Sequence, residues 1–157
     1  MTLAEKVVEI TIASSLDLID IATLTADHMS KLCGFDEEEQ YRINLAVRES
    51  IANAIEHGNK YNLEKNVELR FILTDALLSI AVRDFGAGFD PASLPDPLDP
   101  ENLLNPAGRG ILYMRSFMDE VGLVRHAEGG MQITMVKNRK PLIPPSPAGS
   151  ESSTEGT

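Results

Sequence analysis

The side chains best suited to chemistry lie on a segment with helical spacing, LAVRESIANAIEHGNK. Glu49, Asn53 and His57 recur at every fourth position, so they form one polar stripe on a helix. The amide oxygen of Asn53 suits Mg²⁺, which takes few protein ligands and keeps waters and phosphate oxygens. Glu49, one turn away, is placed to accept a proton from a hydroxyl or water that attacks a phosphate. A solvated polar face is the alternative interpretation of this stripe.

A second segment, AVRDFGAGF, ends a predicted strand. Strand alternation puts Asp84 on the same side as the apolar residues from Leu78 to Val82, which face the core. A buried carboxylate needs a hydrogen-bonding partner, and an adenine amino group would be suitable. Gly86 and Gly88 would let the backbone approach a ligand closely. The alternative is a simple turn in which Asp84 bonds its own backbone.

The third segment, NPAGRGILYMRSFMDEV, places two glycines at the start of a predicted helix. The free N–H groups and the positive dipole end of a helix N-terminus favour phosphate. Arg109, between Gly108 and Gly110, is placed to reach a terminal phosphate, and Ile111 follows in the same turn. The alternative is a glycine-containing helix start with a solvent-exposed arginine.

An Asp-Phe-Gly tripeptide also occurs in eukaryotic protein kinases, but this chain is too short and lacks their upstream lysine strand and catalytic loop.

Together and in this order, the three segments resemble the nucleotide-binding boxes of the GHKL ATPases, which have the Bergerat, or histidine-kinase-like, fold. Within that superfamily the chain looks most like the bacterial anti-sigma-factor serine/threonine kinases. The matching stretches are LAVRESIANAIEHGNK, VRDFGAGFDP and GRGILYMRSFMDEV, and the resemblance spans about residues 5 to 138. It implies a serine/threonine protein kinase that uses ATP and Mg²⁺.

The resemblance also implies a role for each matching position. Glu49 would be the catalytic base, Asn53 the Mg²⁺ ligand and Asp84 the adenine-binding residue. His57 would either contact the ligand or only complement the end of its helix. The residues expected to line the nucleotide are Asn53, His57, Asp84, Gly86, Gly88, Gly108, Arg109, Gly110 and Ile111.

The family's partners supply the remaining functional expectations. Its substrate is a serine or threonine on a small anti-anti-sigma protein with a STAS domain, its other partner is a sigma factor, and members are often homodimers. Two further hypotheses remain open: a nucleotide-dependent module that binds a sigma factor or another regulator without phosphorylating anything, and a plain ATPase. His28 is not expected to be a phosphoacceptor, because a histidine kinase needs a two-helix dimerisation hairpin before the Glu49 helix, and only one helix is predicted there.

The hydrophobic pattern predicts the elements that position these segments. The first helix is expected to open with a capping box at Ser14 and Asp17 and to reach Leu32. The second begins near Asp36, which can cap it, and runs to about His57, with Gly58 as the stop. The predicted strands are Val8 to Ile12, Val67 to Leu73, Leu78 to Val82, Val121 to His126 and Met131 to Lys137. The third helix is predicted between the third and fourth of these strands, from after Gly110 to Asp119.

The predicted order is β-α-α-β-β-loop-α-β-β. Short turns between neighbouring strands imply an antiparallel or mixed sheet with about three helices on one face, which is an α/β (α+β) two-layer sandwich. All nine prolines fall between Pro91 and Pro106 or between Pro141 and Pro147. Residues 1–140 are therefore expected to form one ATP-binding domain, 89–107 its lid, and 141–157 a disordered Pro- and Ser-rich tail.

Composition excludes several classes of function. The formal net charge is −10, with 14 Lys and Arg against 24 Asp and Glu, and a protein that binds DNA or RNA through phosphates needs a basic face. Cys33 is the only cysteine, so neither an internal disulfide nor a cysteine zinc site is expected. No apolar run approaches the roughly 20 residues of a membrane span, and the N-terminus does not resemble a signal peptide. We expect a cytoplasmic protein.

Overall fold

The computed structural model describes residues 4–87 and 106–140, except for the side chains of 106–109. Gly88 and the predicted lid up to residue 105 lie outside the described residues, as does the predicted tail from residue 141. The elements in chain order are β1 Lys6–Ala13, a 3-10 turn Leu16–Leu18, α1 Ile19–Leu32, α2 Glu37–Asn53, a π-helical turn Ala54–Gly58, β2 Asn66–Leu73, β3 Leu77–Arg83, α3 Pro106–Phe117, β4 Glu120–Arg125 and β5 Met131–Asn138.

The strands form one five-stranded sheet in the order β1-β2-β3-β5-β4. All four pairings between these strands are antiparallel, so the predicted sandwich is confirmed. Strand β5 is inserted between β3 and β4, and Arg83 at the end of β3 pairs with Gln132 near the start of β5. The chain therefore leaves β3 at Asp84 directly beside the hairpin turn that precedes β5.

One face of the sheet is apolar and covered by the helices, as the period-2 pattern predicts. In β2 and β3 every second residue is buried, and Phe71, paired with Ile80, lies at the centre of the core. Helix α2 packs against both α1 and α3, and its buried stripe includes Ile43, Val47 and Ile51. Helix α2, which carries the polar stripe of interest, therefore packs on helices on two sides.

The predicted capping box at Ser14 is wrong. Ser14 is buried, and its hydroxyl donates to the carbonyl oxygen of Lys65 at 2.5 Å instead of capping a helix. A 3-10 turn comes first, and α1 begins only at Ile19. The reason is that a buried hydroxyl must be satisfied, and Lys65, the residue before β2, offers its carbonyl oxygen.

The predicted start of α2 is confirmed. Asp36 accepts a hydrogen bond from the Glu39 amide at 2.8 Å, and the Glu39 side chain accepts one from the Asp36 amide at 3.2 Å. The helix was expected to continue to His57, but the α-helical part ends at Asn53 and a wider π-helical turn follows. A single π-turn inside or at the end of a helix often accompanies a functional site.

The predicted start of the third helix is also corrected. Helix α3 begins at Pro106, a residue well suited to a first helical position because its missing N–H needs no partner there. Gly108 and Gly110 therefore lie within α3 and not before it. Within the described parts of the chain, no helix has the length and apolar character needed to cross a membrane.

Candidate nucleotide-binding site

Helix α2 presents Glu49 and Asn53 half-buried on one face, one turn apart. The neighbouring positions Ala46 and Ser50 are buried, and the Ser50 hydroxyl donates to the Val47 carbonyl of the same helix at 2.8 Å. Ser50 is thus satisfied within its own helix. The polar chemistry on this face comes from the carboxylate and the amide.

Helix α3 brings Gly110 directly against this pair. A Cβ atom at Gly110 would lie 2.8 Å from Nδ2 of Asn53 and 3.2 Å from Oε2 of Glu49. Real Cβ contacts are essentially never shorter than 3.0 Å, so only glycine allows this approach without moving Asn53. The structure therefore unites two of the segments identified in the sequence.

Two other predicted residues lie near this end of the helices but differ in environment. His57 is exposed and lies in the π-helical turn, and its side chain has no hydrogen bond or ion pair with any described residue. The π-turn changes the regular α-helical spacing from which the stripe was predicted, and a contact of His57 with the ligand stays a prediction. Ile111 follows Gly110 and is buried, with 6% relative exposure, yet it lies outside the main apolar cluster.

Asp84 is buried at the end of β3, as predicted, with 6% relative exposure. Its Oδ1 accepts hydrogen bonds from the amides of Gly86, at 3.0 Å, and Met131, at 3.2 Å. The Asp84 amide in turn donates to the Met131 carbonyl at 3.0 Å. The simple turn to Gly86 therefore forms, and β5 holds the same carboxylate from a second side. Within residues 4–87 and 106–140, both hydrogen bonds to this carboxylate end on Oδ1, which leaves Oδ2 for another donor.

Three glycines surround Asp84 so closely that no side chain fits. A Cβ at Gly58 would overlap the Asp84 side chain, one at Gly86 would overlap the Gly58 carbonyl oxygen, and one at Gly130 would overlap the Asp84 carbonyl oxygen. Gly130 also has a φ of +89°, which L-residues with side chains rarely adopt. The backbone of three segments thus forms the immediate surroundings of the carboxylate.

Sequence reasoning missed two of these glycines as parts of the site. Gly58 was predicted as the stop of the second helix, and the helical turn does end there; Gly130 was not assigned to the site. The left-handed residues after the helix are Lys60 and Tyr61, with φ of 52° and 59°, so a left-handed stop does not explain Gly58. No local signal would have identified it, since its requirement comes from Asp84, which is distant in sequence.

The π-helical turn connects the two groups of residues. Asn53 is the last residue of α2, and Gly58, which packs on Asp84, is the last residue of the turn. The Glu49–Asn53 pair and the Asp84 carboxylate therefore lie at the two ends of one five-residue turn. A ligand with an anionic end and an amino-bearing end could contact both.

The donor set bears on which metal would fit. Within the described residues there is no group of three or more His, Cys, Asp and Glu side chains that could hold a metal. A site with one amide oxygen and one carboxylate suits Mg²⁺ that is bound mainly through the phosphates of a ligand. It does not suit a closed zinc or calcium cage.

Comparison with known proteins identifies the fold family. Residues 12–137 match the family described as the histidine kinase-like ATPase domain. The chain belongs to this family. The predicted membership is thus confirmed, and the antiparallel sheet with three helices agrees with it.

Named relatives of this histidine kinase-like ATPase domain fall into two groups. The serine-protein kinase RsbW of Staphylococcus epidermidis is 27% identical over 144 residues, which covers 87% of this chain and 89% of that protein. The serine-protein kinase RsbW of Bacillus subtilis is 26% identical over 136 residues, or 83% and 84% of the two chains. The anti-sigma F factor of Bacillus thuringiensis is 36% identical over 104 residues, or 64% and 70%.

Some predicted positions of this ATPase domain are not placed by the structure. Gly88 lies outside the described residues, and only the backbone of Gly108 and Arg109 is described, in the first turn of α3. That backbone still matters, because the first amides of a helix lack intrahelical acceptors and favour anions. The expectation that the Arg109 side chain reaches a phosphate stays a prediction.

Proposed function

We propose that this chain is an ATP-dependent serine/threonine protein kinase that acts as an anti-sigma factor. It would phosphorylate an anti-anti-sigma protein of the STAS type and sequester a sigma factor. The observation that carries the proposal is the placement of Gly110 against the half-buried Glu49 and Asn53. The names of the relatives, serine-protein kinase and anti-sigma F factor, supply the reaction class and the partner class.

Each residue would act by binding or by moving a proton. Asn53 would hold Mg²⁺, which neutralises the charge of the phosphates. Asp84 would accept the adenine amino group on Oδ2, because Oδ1 is already used by two backbone amides. The first amides of α3 would bind phosphate oxygens, and Arg109 would steady the transferred group.

Glu49 would act as the general base for the transfer. The substrate hydroxyl oxygen forms a bond to the terminal phosphorus while the bond from that phosphorus to its bridging oxygen breaks. ADP leaves, and Glu49 takes the hydroxyl proton. Little covalent work falls to the protein in this reaction, so most of the rate comes from positioning and charge neutralisation.

Phosphotransfer to partner proteins tests the proposal. The purified protein is incubated with labelled ATP, Mg²⁺ and STAS-domain proteins from its own genome, and we expect phosphoserine or phosphothreonine on one of them. Glu49→Gln keeps the shape of the side chain but cannot take a proton, so transfer should fall by about 10²- to 10⁴-fold with ATP binding retained. Equal transfer rates for the variant and the wild type would contradict the assignment of Glu49.

Sigma-factor binding without phosphorylation is the second candidate, because the anti-sigma F factor is named for a sigma factor and not for a kinase activity. Nucleotide-dependent capture of a sigma factor, with no labelled partner in the transfer assay, would favour it. The proposal also includes a homodimer. Light scattering on the purified protein would test this, and a monomeric mass at all concentrations would contradict the homodimer.

A further inference from the structure

Asn59, the residue after the π-helical turn, is almost fully buried, with 2% relative exposure. Its Nδ2 donates to Ser14 Oγ at 2.9 Å and to the Asn66 carbonyl at 3.0 Å. Its Oδ1 accepts from the Phe85 amide at 2.8 Å. A side-chain amide has two donor hydrogens, and both are used here. One side chain therefore ties the helix end to the end of β1, the start of β2 and the turn after β3.

The bond to Phe85 reaches the turn that holds Asp84. Phe85 lies between Asp84, whose Oδ1 binds the Gly86 amide, and Gly86, which packs on Gly58. Asn59 is itself held on the π-turn, because its amide donates to the Ala54 carbonyl at 2.8 Å. Among the described residues, the Asn59–Phe85 bond is the side-chain hydrogen bond that joins the helix end to this turn, and it acts together with the packing of Gly58 on Asp84.

We infer that Asn59 is a positioning residue of the nucleotide site: it sets the distance and direction of the Asp84 carboxylate relative to the Glu49–Asn53 pair, and so contributes to selection of the adenine base. This inference rests on the proposed function. Asn59 makes no contact with the base itself, since its polar atoms are all used within the protein. Its effect comes through the Phe85 amide, which without Asn59 would lose its hydrogen bond to the helix end.

Binding of Mg-ATP and Mg-GTP to Asn59→Ala, measured by calorimetry, tests this role. We expect the Kd for ATP to rise about 10-fold and the ATP-over-GTP preference to fall by a similar factor, the size expected for losing a buried hydrogen bond that aligns a charged group. A residue that only stabilises the fold would behave differently. It would lower the fraction of protein able to bind, with the Kd and the nucleotide preference of the remaining molecules unchanged, and that result would overturn the inference.

Two further variants isolate the Phe85 bond. Ser14→Ala removes one acceptor of Asn59 Nδ2 and keeps the bond from Phe85 to Oδ1, so it should lower Tm while leaving the ATP-over-GTP preference unchanged. Asn59→Asp keeps an oxygen that can accept from Phe85 but loses both donors, so it should also destabilise while keeping the preference within about 3-fold of wild type. If Asn59→Ala does not fold, Asn59→Ser takes its place, because it lacks the Oδ1 that accepts from Phe85, and the same loss of preference is expected. Loss of the preference in Asn59→Asp, where the Phe85 bond survives, would overturn the inference.

The outcome separates this inference from the proposed function. If the wild type gives no heat with either nucleotide, the proposed function itself fails. If the wild type binds ATP in preference to GTP and Asn59→Ala keeps that preference, only the role of Asn59 fails.

Discussion

Replacing Gly110 with alanine should weaken nucleotide binding while leaving the stability of the protein almost unchanged. The added Cβ would lie 2.8 Å from Asn53 Nδ2, roughly 0.6 Å inside ordinary van der Waals contact, so the amide must move by about that amount. Helix α3 gains about 1 kcal/mol from losing an interior glycine. The steric cost should be near the low end of about 1–3 kcal/mol for overpacking, because Asn53 and Glu49 are half-buried and can rotate. The two terms nearly cancel, and Tm should stay within about 4 °C of wild type.

Binding should respond far more strongly than stability. A metal ligand must be held to within about 0.5 Å of its working position, and misplacement by about 1 Å can cost about 100-fold. We therefore expect Gly110→Ala to bind Mg-ATP about 10- to 100-fold more weakly. Calorimetry would measure the Kd and thermal unfolding the Tm.

Gly122→Ala is the matched control for this change. A Cβ at Gly122 in β4 would meet nothing within 4 Å, so the same substitution there should leave ATP binding unchanged. If Gly110→Ala bound Mg-ATP as tightly as Gly122→Ala, the contact between α3 and the Glu49–Asn53 pair would have no part in nucleotide binding, and the proposed site would be wrong.

Two substitutions and one chemical-modification experiment give further tests. Gly58→Ala places a Cβ against the Asp84 side chain, which two backbone amides hold in place, so it should cost about 1–3 kcal/mol and lower Tm in thermal unfolding; an unchanged Tm would contradict the close packing. Asp84→Asn keeps an oxygen for those amides but presents an NH₂ group to the base, so the ATP-over-GTP preference should fall about 10- to 100-fold in competition binding, and a preference equal to wild type would exclude the adenine contact. Burial raises the pKa of the Cys33 thiol above its ordinary value of 9.0, and this effect exceeds that of the Arg139 charge, which lowers the pKa. The thiolate is the reactive form, so alkylation at pH 8 should be at least about 10-fold slower in the folded protein than in urea; equal rates would contradict burial. Because this pKa is raised by folding, the contribution of Cys33 to the free energy of unfolding is fully present below pH 9.0. That contribution is lost as the pH rises further.

Local signals predicted the elements well because each depends on residues close in sequence. The alternation in β2 and β3 and the cap at Asp36 are of this kind. Ser14 shows where such reasoning fails, since its pattern suggested a helix cap while its hydroxyl binds Lys65, far along the chain. Asn59 shows the same limit: each of its three side-chain bonds joins a different segment. Nothing in the order of residues around either position indicates these contacts.

The candidate site was predicted from its motifs, but part of the physical reason was wrong. Gly110 was expected to offer a free amide to a phosphate at the start of a helix. As the fifth residue of α3, it lies beyond the first four amides that lack intrahelical acceptors. The free amides belong to the residues before it, and the glycine is required because its missing side chain lets α3 approach Asn53 and Glu49. The same reasoning applies to Gly58 beside Asp84. In both places a helix meets a polar side chain at backbone distance, so the shape of the site depends on absent side chains as much as on the groups that would bind the nucleotide.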